Sequence, residues 1–132
     1  MPLQPGRSAR VELTVTEADT AIAMGSGDVP VLATPRLVAL CEEACCMAVA
    51  GGLGQGETTV GMRVQLDHLA PTAVGGNVVA EATLEKVEGR RLTFTATAND
   101  DHGLIGAAKL TRVVVERSRF LSTTQTSEEL RG

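Results

Sequence analysis

The hydrophobic positions of the chain change period as it proceeds. Val11, Leu13 and Val15 alternate with Glu12, Thr14 and Thr16, a period of two that predicts a half-buried strand from Arg10. Thr20 to Met24 suits a helical turn, and Gly25-Ser26-Gly27-Asp28 followed by Pro30 reads as a loop placed to act as a lid. The period then becomes helical. Leu37, Val38, Leu40, Cys41, Ala44, Cys45, Ala48 and Val49 cover most of one helix circumference, which predicts a buried helix. Thr34 is expected as its N-cap, Pro35 as its first residue, and Gly51-Gly52 as its end. This helix carries two adjacent carboxylates, Glu42 and Glu43, of which only one can point a given way, because neighbours on a helix diverge by about 100°.

Beyond the helix the period returns to two. In residues 58–68, strict alternation puts Val60, Met62, Val64, Leu66 and His68 on a helix-facing row, with Thr59, Gly61, Arg63, Gln65 and Asp67 opposite. Gly61 inside a strand suggests close approach of a backbone or ligand. Pro71 ends the strand and Gly75-Gly76 turns the chain. Val78, Ala80, Ala82 and Leu84 then alternate in 77–87, and Leu92, Phe94, Ala96 and Ala98 alternate after a turn at Glu88-Gly89. A second turn, Asn99 to Gly103, places His102 in solvent. A last strand over 104–117 contains Val113-Val114-Val115, which implies cover on both faces. The order is strand, loop, buried helix, then four strands joined by tight turns. The class is α+β: an antiparallel five-stranded sheet wrapped round one long central helix.

Length sets one domain over 1–132, with a core at about 8–121, a loose start at 1–6 and a flexible tail at 122–132. With no Trp or Tyr, only Phe94 and Phe120 offer stacking surfaces, and the formal charge is −4; both count against nucleic acid as a partner. No run approaches 18 apolar residues and no signal-peptide core is present, so a soluble, cytoplasmic protein without membrane association is expected. Cys41, Cys45 and Cys46 lie within six residues of one helix, poorly placed to bridge one another. No CxxC or Cys/His pattern supplies metal ligands, and buried thiols filling a core are expected. Gly51 to Gly56 lacks the spacing of a phosphate loop and follows a helix instead of opening one.

Taken together, Thr34, Glu42 eight residues on, His68 twenty-six residues after that, and Gly61 seven before the histidine resemble the fluoroacetyl-CoA thioesterase-like group of hotdog-fold thioesterases. His68-Leu69-Ala70-Pro71-Thr72 with Gly75-Gly76, and Val87 to Leu92, are similar to the turn after that group's histidine and to its next hairpin. The likeness covers about residues 30–117. It implies a hotdog fold, a homodimer or higher homo-oligomer with active sites near the interface, and an acyl-CoA substrate, so that coenzyme A enters as part of the substrate and no metal or redox cofactor is required.

The resemblance also selects Glu42 over Glu43 and implies roles. Glu42, desolvated among apolar walls, would activate water or attack the thioester carbonyl directly. Thr34 would position the water or carboxylate, His68 would act as general acid or base, and the Gly61 N–H would stabilise the oxyanion. Hotdog domains also serve as acyl-CoA-sensing modules and as hydratases or dehydratases of enoyl or hydroxyacyl thioesters, and both remain alternatives. The group carries phenylalanines just before its threonine; residues 25–33 here contain none. Hydrolysis of short to medium acyl-CoAs, without marked preference for fluoroacetyl-CoA, is therefore expected.

Overall fold

The computed structural model describes residues 3–125. Its elements are β1 (Ser8–Thr14), a single 3-10 turn (Glu17–Asp19), α1 (Ala21–Met24), α2 (Thr34–Val49), β2 (Glu57–His68), β3 (Asn77–Glu88), β4 (Arg91–Asp100), β5 (Gly103–Glu116) and α3 (Arg117–Ser122). The strands form one antiparallel sheet in the order β1-β3-β4-β5-β2, leaving β1 and β2 as its edges. Strand β1 begins two residues earlier than its alternation indicated. Gly6 donates to the Leu84 carbonyl at 2.8 Å and Leu3 packs on the core, so this part of the start is tied down. The short helix α3 was not expected from sequence. The tail expected to be flexible lies from residue 126 onward outside the described residues.

Helix α2 lies on the concave face of the sheet. Leu37, Leu40, Cys41, Ala44, Cys45, Ala48 and Val49 are buried against the inward rows Val78-Ala80-Ala82-Leu84 of β3 and Leu92-Phe94-Ala96-Ala98 of β4. Each fully buried Leu or Val contributes about 1.5–3 kcal/mol, so truncating Leu37 to Ala costs about 2–5 kcal/mol. The helix C-terminus is closed by Arg7, whose Nε and Nη2 donate to the Ala48 and Ala50 carbonyls at 2.9 and 2.8 Å, and by Gly51 at φ +82°.

Three expectations are corrected here. Helix α2 is not covered all round: Ala39, Glu43, Cys46 and Met47 face outward, Met47 at 55% exposure. Accordingly only Cys41 and Cys45 are core thiols, pushed up to about 11 and about 12 mainly by burial, while Cys46 is exposed. Thr34 is not the N-cap. Ala33 takes that position without a side-chain bond, and Thr34 is the first helical residue.

The third correction concerns β2. Its register against β5 shifts between Gly61 and Arg63, so Met62 is an extra residue and the strand changes parity there. Before the bulge Thr59 and Gly61 face the helix; after it Val64, Leu66 and His68 do. Met62 is 52% exposed, not packed on the helix as strict alternation required.

Candidate functional site

The N-terminus and the middle of α2 carry polar groups against the sheet. At its N-terminus, Leu32 and Ala33 are anchored by backbone bonds to the Thr72 and Asp19 carbonyls at 2.8 and 2.9 Å. Asp19 also accepts from Thr16 and from Arg36, whose Nε lies 3.0 Å away, fixing the lid segment to the first turn of the helix. Because Thr34 has helical backbone geometry, its hydroxyl is not used in capping. It lies 2.8 Å from Nδ1 of His68, the last residue of β2.

Burial is the largest influence on His68 and holds its pKa below the ordinary imidazole value, opposed by a backbone contact at Ala70. Its Nε2 is buried without a hydrogen-bond partner. A buried, unpaired imidazole nitrogen beside a hydroxyl is costly unless a ligand completes it. An open cavity of about 370 Å³ adjoins this pair, lined among others by Val29, Val31, Leu32 and Leu69.

Two turns along the helix, Glu42 Oε2 lies 3.0 Å from Nη1 of Arg112. Arg112 is 7% exposed and sits on the inward row of β5 between Leu110 and Val114. Its Nε donates to Thr59 Oγ1 at 3.0 Å and its Nη2 to the Thr59 carbonyl at 3.1 Å. Glu42 thus sits beside a fixed cation, not among apolar walls, with its side chain 33% exposed. Gly61 completes the cluster: a Cβ built there would meet Glu42 Oε2 at 2.8 Å and Arg112 Nη1 at 3.4 Å. Only a residue without a side chain permits this approach.

Glu43 points outward, away from the cluster, and His102 is exposed in the β4–β5 turn. Arg112 was missed in the sequence, although an arginine at even spacing between Leu110 and Val114 demands a buried partner. Among the described residues no three His, Cys, Asp or Glu side chains group as metal ligands, and no helix is long and apolar enough to cross a membrane. Within one copy, Thr34 and His68 form one group and Glu42, Gly61 and Arg112 another. Eight residues of helix, about 12 Å, separate Thr34 from Glu42 along the axis.

A curled antiparallel sheet around a single long helix, which meets it through a buried apolar face, is the hotdog fold of the thioesterase superfamily. The solved structure of the fluoroacetyl-CoA thioesterase FlK superposes with a TM-score of 0.88 at 29% identity, covering 94% of this chain and 96% of FlK. A thioesterase-superfamily member from Thermus thermophilus gives 0.86 at 29% identity, over 93% of this chain and 91% of the other. The fluoroacetyl-CoA thioesterase of Streptantibioticus cattleyicolor is 38% identical over 90 residues, 68% of this chain and 65% of that relative's length. The family profile described as FlK, fluoroacetyl-CoA-specific thioesterase, matches residues 15–118, and the chain belongs to that family.

Proposed function

We propose that this protein is an acyl-CoA thioesterase, with Thr34, Glu42 and His68 as its catalytic residues and Gly61 as a substrate-binding residue. The observation that carries the reading is the 2.8 Å Thr34–His68 contact with an unpartnered, buried Nε2. The FlK relative whose structure was solved with fluoroacetate and CoA supports a CoA thioester as substrate. Short to medium acyl groups suit the open cavity beside Thr34, part of whose wall is formed by Val29, Val31, Leu32 and Leu69.

The two polar groups on α2 are too far apart to act together within one copy. A homodimer brings the Thr34–His68 pair of one copy to the Glu42–Gly61–Arg112 cluster of another. The uncovered face of α2 and the free edge β2 are the surfaces available for it. In the assembled site Glu42 takes a proton from water, the water oxygen attacks the thioester carbonyl, and the Gly61 N–H holds the oxyanion. With the Thr34 hydroxyl donating to Nδ1, His68 carries its proton on Nε2 and donates a hydrogen bond to the departing thiolate. Collapse breaks the C–S bond, and the proton on Glu42 then neutralises the thiolate. This sequence asks for no metal or redox group; coenzyme A arrives as the substrate's leaving group. We place the protein in the cytoplasm, where acyl-CoA is made and used, with no nucleic acid or membrane partner.

Release of free thiol from straight-chain acyl-CoAs tests the reading. Wild type turns over; Glu42→Gln does not; Glu43→Gln stays near wild type. Equal losses at the two glutamates would assign the wrong carboxylate. Absence of thiol release from every thioester would exclude hydrolysis in favour of binding or hydratase chemistry.

A further inference from the structure

The cavity beside Thr34 and His68 has a charge bias. Leu32 and Ala21 are buried along it, Val29, Val31 and Leu69 are apolar walls, and Asp28 supplies its one carboxylate. Among the described residues no lysine or arginine lines it. Arg36, two residues past Thr34, is held by Asp19 at 3.0 Å and is not among the lining residues. Asp28 itself makes no hydrogen bond or ion pair among the described residues and is exposed on the lid loop. Within one copy, an acyl chain leaving the thioester carbonyl and entering this cavity therefore meets the apolar side chains, the Ser26 hydroxyl and a single negative charge.

We infer that Asp28 selects the acyl group by charge: the site takes short acyl chains whose far end is neutral or cationic and rejects those ending in a carboxylate. This rests on the thioesterase reading and names the substrate class within it. Two effects act in the same direction. A terminal carboxylate loses water against Val29, Val31 and Leu69 with no free cation to replace it, because the Arg112 guanidinium that a second copy would bring is already committed to Glu42 and Thr59. It is also repelled by Asp28. Two like charges about 6 Å apart, in a dielectric between those of water and a protein surface, differ from a neutral pair by roughly 3- to 100-fold in an equilibrium constant. A terminal ammonium gains where the carboxylate loses.

Three thioesters of nearly equal length separate charge from size: β-alanyl-CoA, butyryl-CoA and succinyl-CoA. Their kcat/KM values are expected to fall in that order, with succinyl-CoA more than threefold below butyryl-CoA. Asp28→Asn, nearly isosteric and on an exposed loop, brings succinyl-CoA closer to butyryl-CoA, and Asp28→Lys reverses the order of the two charged substrates. Calorimetric binding of the same three compounds to Glu42→Gln gives the ranking independently of turnover. Succinyl-CoA within threefold of butyryl-CoA in wild type, or a ranking that Asp28→Asn leaves unchanged, would overturn the inference. Absent turnover with the binding ranking intact would sink the hydrolase reading alone; turnover without the ranking would sink the charge selector alone.

Discussion

Gly61→Ala isolates the contact between β2 and the helix carboxylate. The added Cβ would sit 2.8 Å from Glu42 Oε2, a separation that real Cβ atoms essentially never show, whereas 3.4 Å is ordinary contact. Glu42 must retreat by the difference, about 0.6 Å, and Arg112 Nη1 is already at 3.4 Å from the new methyl. Misplacement of a catalytic group by 1 Å costs about a hundredfold in rate, so a 10- to 100-fold loss in kcat/KM is expected. Stability should respond differently. Gly61 is not among the positive-φ glycines, so alanine fits the backbone, and Gly→Ala at a compatible position gains about 0.4–1 kcal/mol. That gain offsets part of the strain on the ion pair, and the melting temperature should stay within about 4 °C of wild type. Thiol-release kinetics and a circular-dichroism melt on the same preparation read both quantities. Activity within twofold of wild type would refute the reasoning, because the carboxylate would then not work from its place against Gly61. A loss of activity accompanied by a melting point lowered by 10 °C or more would refute it too, by making the effect global.

Arg112→Met should destabilise the fold by about 3 kcal/mol, because Glu42 loses its cation and the buried Thr59 carbonyl and hydroxyl lose their donors. This is the low end of the roughly 3–5 kcal/mol for breaking a buried ion pair, since Glu42 is one-third exposed; a urea-denaturation difference below about 1 kcal/mol would contradict it. His68→Ala should lower the rate by about 10²–10⁴-fold and His102→Ala should leave it almost unchanged, as measured by the same thiol assay. His68 has a folded pKa depressed by burial, so the unfolded chain binds its proton more tightly. Its contribution to stability is thus complete above about pH 6.5 and declines as the pH falls through that value towards the folded pKa. His68→Ala should remove that acid-side loss, and an unchanged pH–stability curve would contradict the sign. Light scattering at micromolar concentration should give at least twice the chain mass; a monomer would leave the two polar groups on α2 unjoined.

The sheet rows of β3 and β4 were legible because they are regular: every second residue from Val78 to Leu84 and from Leu92 to Ala98 is buried. So was the long helix, whose apolar period spans more than four turns. The bulge at Met62 was not legible from periodicity, because one inserted residue reverses parity without any change of composition. It leaves a numerical trace, however. Gly61 and His68 are seven apart, and two residues at an odd interval can share one face of a strand only if the strand contains an irregularity. Alternation and the family spacing disagreed over Gly61, and the bulge reconciles them. Thr34 was misplaced by one position because local preference favours a threonine cap, whereas the bonds at Leu32 and Ala33 fix where the helix begins. Arg112 is not legible locally because the valine run that follows it reads as hydrophobic cover. The ion pair it makes joins residues seventy apart in sequence, beyond the reach of any local pattern.

The three thiols of α2 make the protein its own reporter. Cys41 and Cys45 are buried and their thiolates are suppressed by values near 11 and 12, so a maleimide or a disulfide dye at neutral pH would react at Cys46. Any chromogenic assay of released coenzyme A therefore carries a background from the protein itself of up to one equivalent per chain, reached when Cys46 is uncovered. That background is informative. Cys46 lies on the face of α2 that a second copy would cover, and its labelling rate, followed across a dilution series, becomes a footprint of assembly that needs no substrate at all.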